Sequence, residues 1–290
     1  MIDIRSILVA GRDALRKQHD DKSAGNNNYR VGSSGAVCSD GEIRGICPRI
    51  ALLRRLGIEE PPSLGTQVMW GHGEASEWDW ERVLTASGAE FDMQRDISWD
   101  IDGHTVTGHP DVIVKQDGQE YGIELKGVFS YNTAAMVLLD KRPKNENIVQ
   151  SLCYSLATGL PWYLVYTSPS FWKVPFYDKK KTELKSLPPF YQIFTLEWRD
   201  DTAWYKHEDG EWTKTLITKE SLRDYYRMLA EMEQTKKLGP RPTAGYVDGT
   251  DPKFGNDACF FCPMKDACDR FDMNGRYDEW LDMTKEIVDA

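Results

Sequence analysis

The chain has 290 residues, a formal net charge of −10, and is 40% hydrophobic and 11% aromatic, enough to bury a full core as one large domain or a core with an appended lobe. Such acidity excludes a nonspecific coat for polyanions, whose surfaces are mostly basic, and leaves room for a local basic groove. No run approaches the roughly 20 apolar residues of a membrane span, and MIDIRSILVAGRDALRK lacks the apolar core and cleavage site of a signal peptide, so a cytoplasmic location is expected.

Residues 1–20 carry a helical apolar pattern (Ile4, Ile7, Leu8, Leu15). The stretch DDKSAGNNNYRVGSSGAVCSDGE that follows, rich in Gly, Ser, Asn and Asp, reads as a loop. CPRIALLRRLG has Pro at a first helical position and closes on Gly57, which predicts a short helix. TQVMWGHGEASEWDWERVLTASG predicts a longer one ending near Gly88, weakened in its first half by Gly71 and Gly73.

FDMQRDISWDID, HTVTGHPDVIVKQD and QEYGIELKGV are β-rich runs separated by two Asp-Gly turn signals, and a three-stranded antiparallel meander is the simplest reading. ENIVQSLCYSLATG is helical in period and ends on glycine, and PWYLVYTSPS reads as a buried strand returning to the sheet. Residues 190–216 alternate aromatic and polar positions like a further pair of strands, residues 218–237 read as a charged helix, and GPRPTAGYVDGTDPKFGND reads as a linker. KKK at 179–181 fits a solvated loop. The fold class expected is α/β with a mixed sheet, in three parts: an N-terminal helix and loop over 1–44, a core over 45–240, and a C-terminal cysteine-containing lobe over 241–290.

Along GIELKG, Glu124 and Lys126 share one face of a strand while Ile123 and Leu125 point into the opposite layer. Asp111 lies on the preceding strand-like run, so adjacent antiparallel strands bring all three polar side chains together. Two carboxylates and an ammonium suit a hard divalent cation such as magnesium, held by Asp111, Glu124 and the carbonyl of Leu125, with Lys126 orienting or activating a water. That chemistry is metal-assisted phosphodiester hydrolysis. The competing reading of the triplet is a solvated strand face with Asp111 in a turn.

The six cysteines, in a chain without a secretory signal, read as reduced, ligating or catalytic. Cys259, Cys262 and Cys268 form C-x2-C-x5-C, and four thiolates serve a tetrahedral zinc or an iron-sulfur cluster. Cys47 and Cys38 are the rivals for the fourth position, whereas Cys153, inside a helical pattern, reads as a small core residue.

HPD at 109–111, with ELK thirteen residues after the aspartate, resembles the PD-(D/E)xK nuclease motif, and QSLCY (Gln150 to Tyr154) is similar to the QxxxY motif of its RecB-like branch. With His72 ahead of these strands and Cys47-Pro48 paired with the three C-terminal cysteines, the chain resembles the CRISPR-associated RecB-like iron-sulfur nucleases, their phage relatives and the nuclease domain of AddB, over roughly residues 45–270. The resemblance implies a restriction-endonuclease-like α/β core and a Mg2+ or Mn2+ ion at His72, Asp111, Glu124 and Leu125. It implies catalytic roles for Asp111, Glu124, Lys126, Gln150 and Tyr154. It further implies a 4Fe-4S cluster on Cys47, Cys259, Cys262 and Cys268, and a DNA exonuclease, commonly on single strands with 5' to 3' polarity. Trp and Tyr near Lys141, Arg142 and Lys144 are the expected base-stacking groups of a DNA channel. Two other classes fit the residues: a partner-dependent DNA end-processing factor working with an integrase or recombination partner in CRISPR spacer acquisition, and a non-catalytic DNA-binding module.

Overall fold

The computed structural model describes residues 10, 11, 14, 28–55, 64–169, 172–175, 184–187, 190–235, 237–239, 262, 264, 265 and 268. Most of the helix expected over residues 1–20, the KKK tract, the linker after Gly239 and Cys259 lie outside them. The first strands are β1 (Tyr29–Arg30), β2 (Gly35–Val37), β3 (Ile43–Gly45), β4 (Glu90–Met93), β5 (Ile97–Ile101), β6 (His104–Gly108), β7 (Val112–Gln116) and β8 (Gln119–Gly127). β9 (Trp162–Ser168), β10 (Trp172–Pro175), β11 (Leu184–Leu187), β12 (Phe190–Arg199), β13 (Thr202–His207) and β14 (Trp212–Thr218) follow. The helices are α1 (Pro48–Arg55), α2 (Leu64–Ser87), α3 (Tyr131–Leu138), α4 (Asn145–Thr158) and α5 (Lys219–Thr235).

A seven-stranded sheet, ordered β14-β13-β12-β9-β8-β7-β4, forms the centre of a mixed α/β architecture. The β8–β9 pair is parallel and the other pairs are antiparallel. A parallel pair needs a long crossover, which α3 and α4 supply between residues 127 and 162. α4 ends on Gly159, whose φ of +70° places it in the left-handed region, as the sequence pattern predicts.

The alternation within the strands sorts their side chains onto two faces. Trp162, Leu164 and Tyr166 of β9 join Phe194, Leu196 and residues of α4 and α5 in the main core. On the opposite face Val112, Leu125 and Val165 pack with Trp80 and Leu84 of α2. Gly122 faces the main core, where any side chain would run into the Trp162 ring.

The three β-rich runs do not form one meander. β4 pairs with β7 in the large sheet, whereas β5 and β6 turn away to make a separate three-stranded sheet with β1. Both Asp-Gly signals are turns as expected, with positive φ at Asp102, Gly103, Asp117 and Gly118. The second joins β7 to β8 in a hairpin.

The expected loop is also partly structured: residues 29–45 form β1, a one-turn 3-10 helix and the β2–β3 hairpin. Gly35 serves close packing, since a Cβ there would lie 2.5 Å from the Tyr225 ring. Tyr29, Val31, Ala36 and Ile43 are buried in the main core. Residues 190–216, expected as a pair of strands, form three.

Candidate metal-dependent active site

One step beyond the Val112–Ile123 pair, Asp111 falls opposite Glu124 across the β7–β8 hairpin. The Leu125 amide donates to Asp111 Oδ2 at 2.7 Å, which locks the aspartate against the neighbouring strand. Glu124 and Lys126 share the face expected of them: Lys126 Nζ donates to Glu124 Oε1 at 2.5 Å. Glu124 is fully buried, and its second oxygen, Oε2, has no hydrogen-bond partner. A buried carboxylate oxygen without a partner is costly, and a cation beside it removes the cost.

Helix α2 contributes an acid that sequence reasoning missed. Glu77 accepts a hydrogen bond from Gln94 Nε2 at 3.2 Å, and the same amide reaches Asp111 Oδ1 at 3.4 Å. Gln94 holds this position with a left-handed φ of +52°, while its backbone N–H donates to the Asp111 carbonyl at 3.2 Å. The signal was in the helix phase: Glu77 lies three and seven residues before Trp80 and Leu84, so an acid sits on the apolar stripe. His72, expected as the ligand from this helix, is exposed, with its ring centroid 5.7 Å from that of Phe129.

The electrostatics are those of three carboxylates sharing one ammonium. Burial, then the charge of Asp111, pushes Glu124 up to about 8, against the pull of Lys126. Burial and Asp111 likewise push Glu77 up to about 7. Asp111 is raised by burial, with Lys126 and the Leu125 amide opposing. Burial works against the charge on Lys126, yet Glu124 and Asp111 together keep its affinity for the proton above the ordinary lysine value.

Gln150 and Tyr154 lie one turn apart on α4, and Gln150 favours the ionised form of the Tyr154 hydroxyl against the larger effect of burial. Tyr154 is buried, stacked on Trp162 at 5.5 Å, and its hydroxyl donates to the His109 carbonyl at 2.9 Å. The tyrosine thus fixes the turn that delivers Asp111.

The described cysteines lie in three different surroundings. Cys47, Cys262 and Cys268 carry free thiols, and Cys47 is pushed up to about 11 by burial, with the other two adding to the rise. Its sulfur is also offered the Arg49 and Ile50 amides at the start of α1. Buried Arg49 donates from Nη1 to Cys268 Sγ at 3.2 Å and from Nε to the Gly239 carbonyl at 2.7 Å. Thiols distant in sequence are thus near enough to influence one another's charge. Cys38 interacts instead with Arg44, Asp40 and Glu42, and Cys153 with the hydroxyls of Ser34 and Tyr226.

His207, Glu208 and Asp209 bring ligand-type atoms together elsewhere, at the β13–β14 turn. Both nitrogens of His207 are engaged, Nδ1 accepting from the Asp209 amide at 3.1 Å and Nε2 meeting Gln192 Oε1 at 2.7 Å. Of the expected DNA-stacking region, Lys141 donates to that same Gln192 oxygen at 2.8 Å and Lys144 pairs with Glu146 at 3.3 Å.

No family model matches the chain, and no curated protein does. Among solved structures, the crystal structure of SSO0001 aligns at 16% identity with a TM-score of 0.46, over 90% of this chain and 93% of that one. An alkaline exonuclease from Laribacter hongkongensis, LHK-Exo, aligns at 16% identity with a TM-score of 0.35, over 65% of this chain and 81% of that one. Among the described residues no helix is long and apolar enough to cross a membrane.

Proposed function

We propose that the chain is a divalent-metal-dependent deoxyribonuclease that hydrolyses phosphodiester bonds, acting as an exonuclease on single-stranded DNA with 5' to 3' polarity. The observation that carries the reading is the unpartnered, buried Oε2 of Glu124 within a group of three carboxylates and one lysine. A cluster so costly in isolation is relieved by a cation of high charge density.

Asp111, Glu124 and Glu77 are the residues that would hold Mg2+ or Mn2+, with the Leu125 carbonyl beside them. When bound, the ion neutralises charge on the phosphate and lowers the pKa of a water. Lys126, cationic and held by Glu124, orients that water and faces the charge that develops on the phosphate oxygens. Tyr154 and Gln150 position the 109–111 turn. His72, exposed and five residues before Glu77 on the same helix, is kept as an outer ligand of the site.

Cys47, Cys262 and Cys268, completed by Cys259, are assigned a 4Fe-4S cluster whose job is structural, with a single zinc as the alternative occupant. A second reading, a DNA end-processing factor active only with a partner subunit, is favoured by the net charge of −10, which is unusual for a free DNA binder. The test is cleavage of end-labelled single-stranded and duplex DNA with manganese or magnesium by anaerobically purified protein and by Lys126→Ala. Metal-dependent cutting lost in the variant is expected. Equal cutting by both removes the reading, and cutting that needs a copurifying subunit selects the second one.

A further inference from the structure

The face of the large sheet that α2 covers over β7–β9 continues past it onto β12, β13 and β14. Along β12 the buried Gln192, Phe194 and Leu196 alternate with Tyr191, Ile193, Thr195, Glu197 and Arg199 on this other face. Register carries the face outward: Thr195 lies opposite Lys206 and Glu197 opposite Trp204, and on the next strand Trp204 lies opposite Lys214 and Lys206 opposite Trp212. Tryptophan and lysine therefore alternate across the β13–β14 pair. Arg199 bridges the tryptophans, its guanidinium carbon 4.8 Å from the Trp204 ring centre and 4.2 Å from that of Trp212.

The strip is open. Tyr191 is 63% exposed, Lys214 is exposed, and Trp204, Lys206 and Trp212 are half-exposed. On the strands it carries Arg199, Lys206 and Lys214 against one carboxylate, Glu197, which pairs with Arg199. The acids Asp200, Asp201, Glu208, Asp209 and Glu211 are confined to the turns at either end. A cationic strip on a chain of net charge −10 selects a polyanion, and interleaved aromatic rings select one with exposed bases. Tyr191 also meets Trp80 edge-on at 6.0 Å, and Trp80 lies one helical turn from Glu77. The strip thus reaches the helix that carries Glu77, while Glu124 and Lys126 project from the other face of β8.

We propose that this face of β12–β14 is a stacking platform for single-stranded DNA, on which the strand rests as it passes to the site; this rests on the nuclease reading for its ligand. Bases stack on Tyr191 and on the Trp204–Trp212 pair, and Lys206 and Lys214 meet phosphates. This placement differs from the Lys141–Lys144 region that the sequence had pointed to.

The test is fluorescence anisotropy of a labelled oligo(dT) strand with the full chain in EDTA, over a series of salt concentrations, for wild type, K206E/K214E and Y191A. Near-UV circular dichroism confirms that each variant is folded. The double reversal is expected to weaken binding tenfold or more and to flatten the slope of log K against log salt by about 1.4, two phosphates at roughly 0.7 each. Tyr191→Ala is expected to weaken binding by about five- to a hundredfold with the slope unchanged. Wild-type affinity and slope in both variants, or a wild-type chain that prefers blunt duplex, overturns the platform. Because EDTA separates binding from cutting, platform binding without metal-dependent cleavage by wild type removes the nuclease reading alone, and cleavage with unaltered variant binding removes the platform alone.

Discussion

Glu77 and Glu124 couple the site to pH in a direction that is easy to measure. Their ordinary value is 4.5, and in the folded chain they titrate near 7 and 8. Between about pH 4.5 and 8 the folded state holds protons that the unfolded chain has released, so their contribution to stability is complete at low pH and lost as pH rises through these values. In EDTA, Glu124→Gln, which cannot titrate, is therefore expected to gain in Tm on wild type between pH 5 and pH 8.5, and Glu77→Gln to do so by pH 8. Added Mg2+ is expected to raise the wild-type Tm more at pH 8.5 than at pH 5.5, since metal and protons compete for the same oxygens. Thermal melts across this range check both, and a Tm gap independent of pH would show that the carboxylates are not shifted by burial.

The elements around these residues make two further predictions. Gly122→Ala forces a methyl into the Trp162 ring and is expected to cost about 1–3 kcal/mol in denaturant unfolding, as overpacked cores do. Tyr154→Phe keeps the stack on Trp162 but drops the hydroxyl that holds the His109 carbonyl; a loss of about 1 kcal/mol in stability is expected, with kcat falling more than KM rises. Much at this scale was legible beforehand. The alternation of GIELKG, the two Asp-Gly turns and the glycine-closed helix at 145–158 are local signals, and local signals survive folding. What stayed hidden depends on tertiary pairing. Nothing within HTVTG marks it as leaving the large sheet for β1, and the Gly/Ser-rich segment at 29–45 looks like a loop until Tyr225 packs on Gly35. Glu77 went unread because His72, nearer a familiar pattern, drew the assignment, although only Glu77 is in phase with Trp80 and Leu84.

On the scale of the molecule, segments far apart in sequence meet at α1. Arg49 on that helix binds both the Gly239 carbonyl and the Cys268 sulfur, residues about 190 and 219 positions away. Arg49→Ala is expected to cost about 1.5–3 kcal/mol and to make the C-terminal segment cleavable by added protease before the core unfolds, read by limited proteolysis. Anaerobic protein is expected to carry about four irons per chain with visible absorption; one zinc per chain and no colour would assign the cysteines to zinc.

The β7–β8 hairpin has a kinetic implication. Its two-residue turn brings Asp111 and Glu124 together across a loop of a dozen residues, a closure far faster than the parallel pairing of β8 with β9 that must span α3 and α4. Two like charges are therefore brought together early, with Lys126, on the same strand as Glu124, a cation that arrives with them. On the proposed metal-dependent reading, a divalent cation added during refolding is expected to speed the closure of these strands, which stopped-flow refolding with Mg2+ and with EDTA checks.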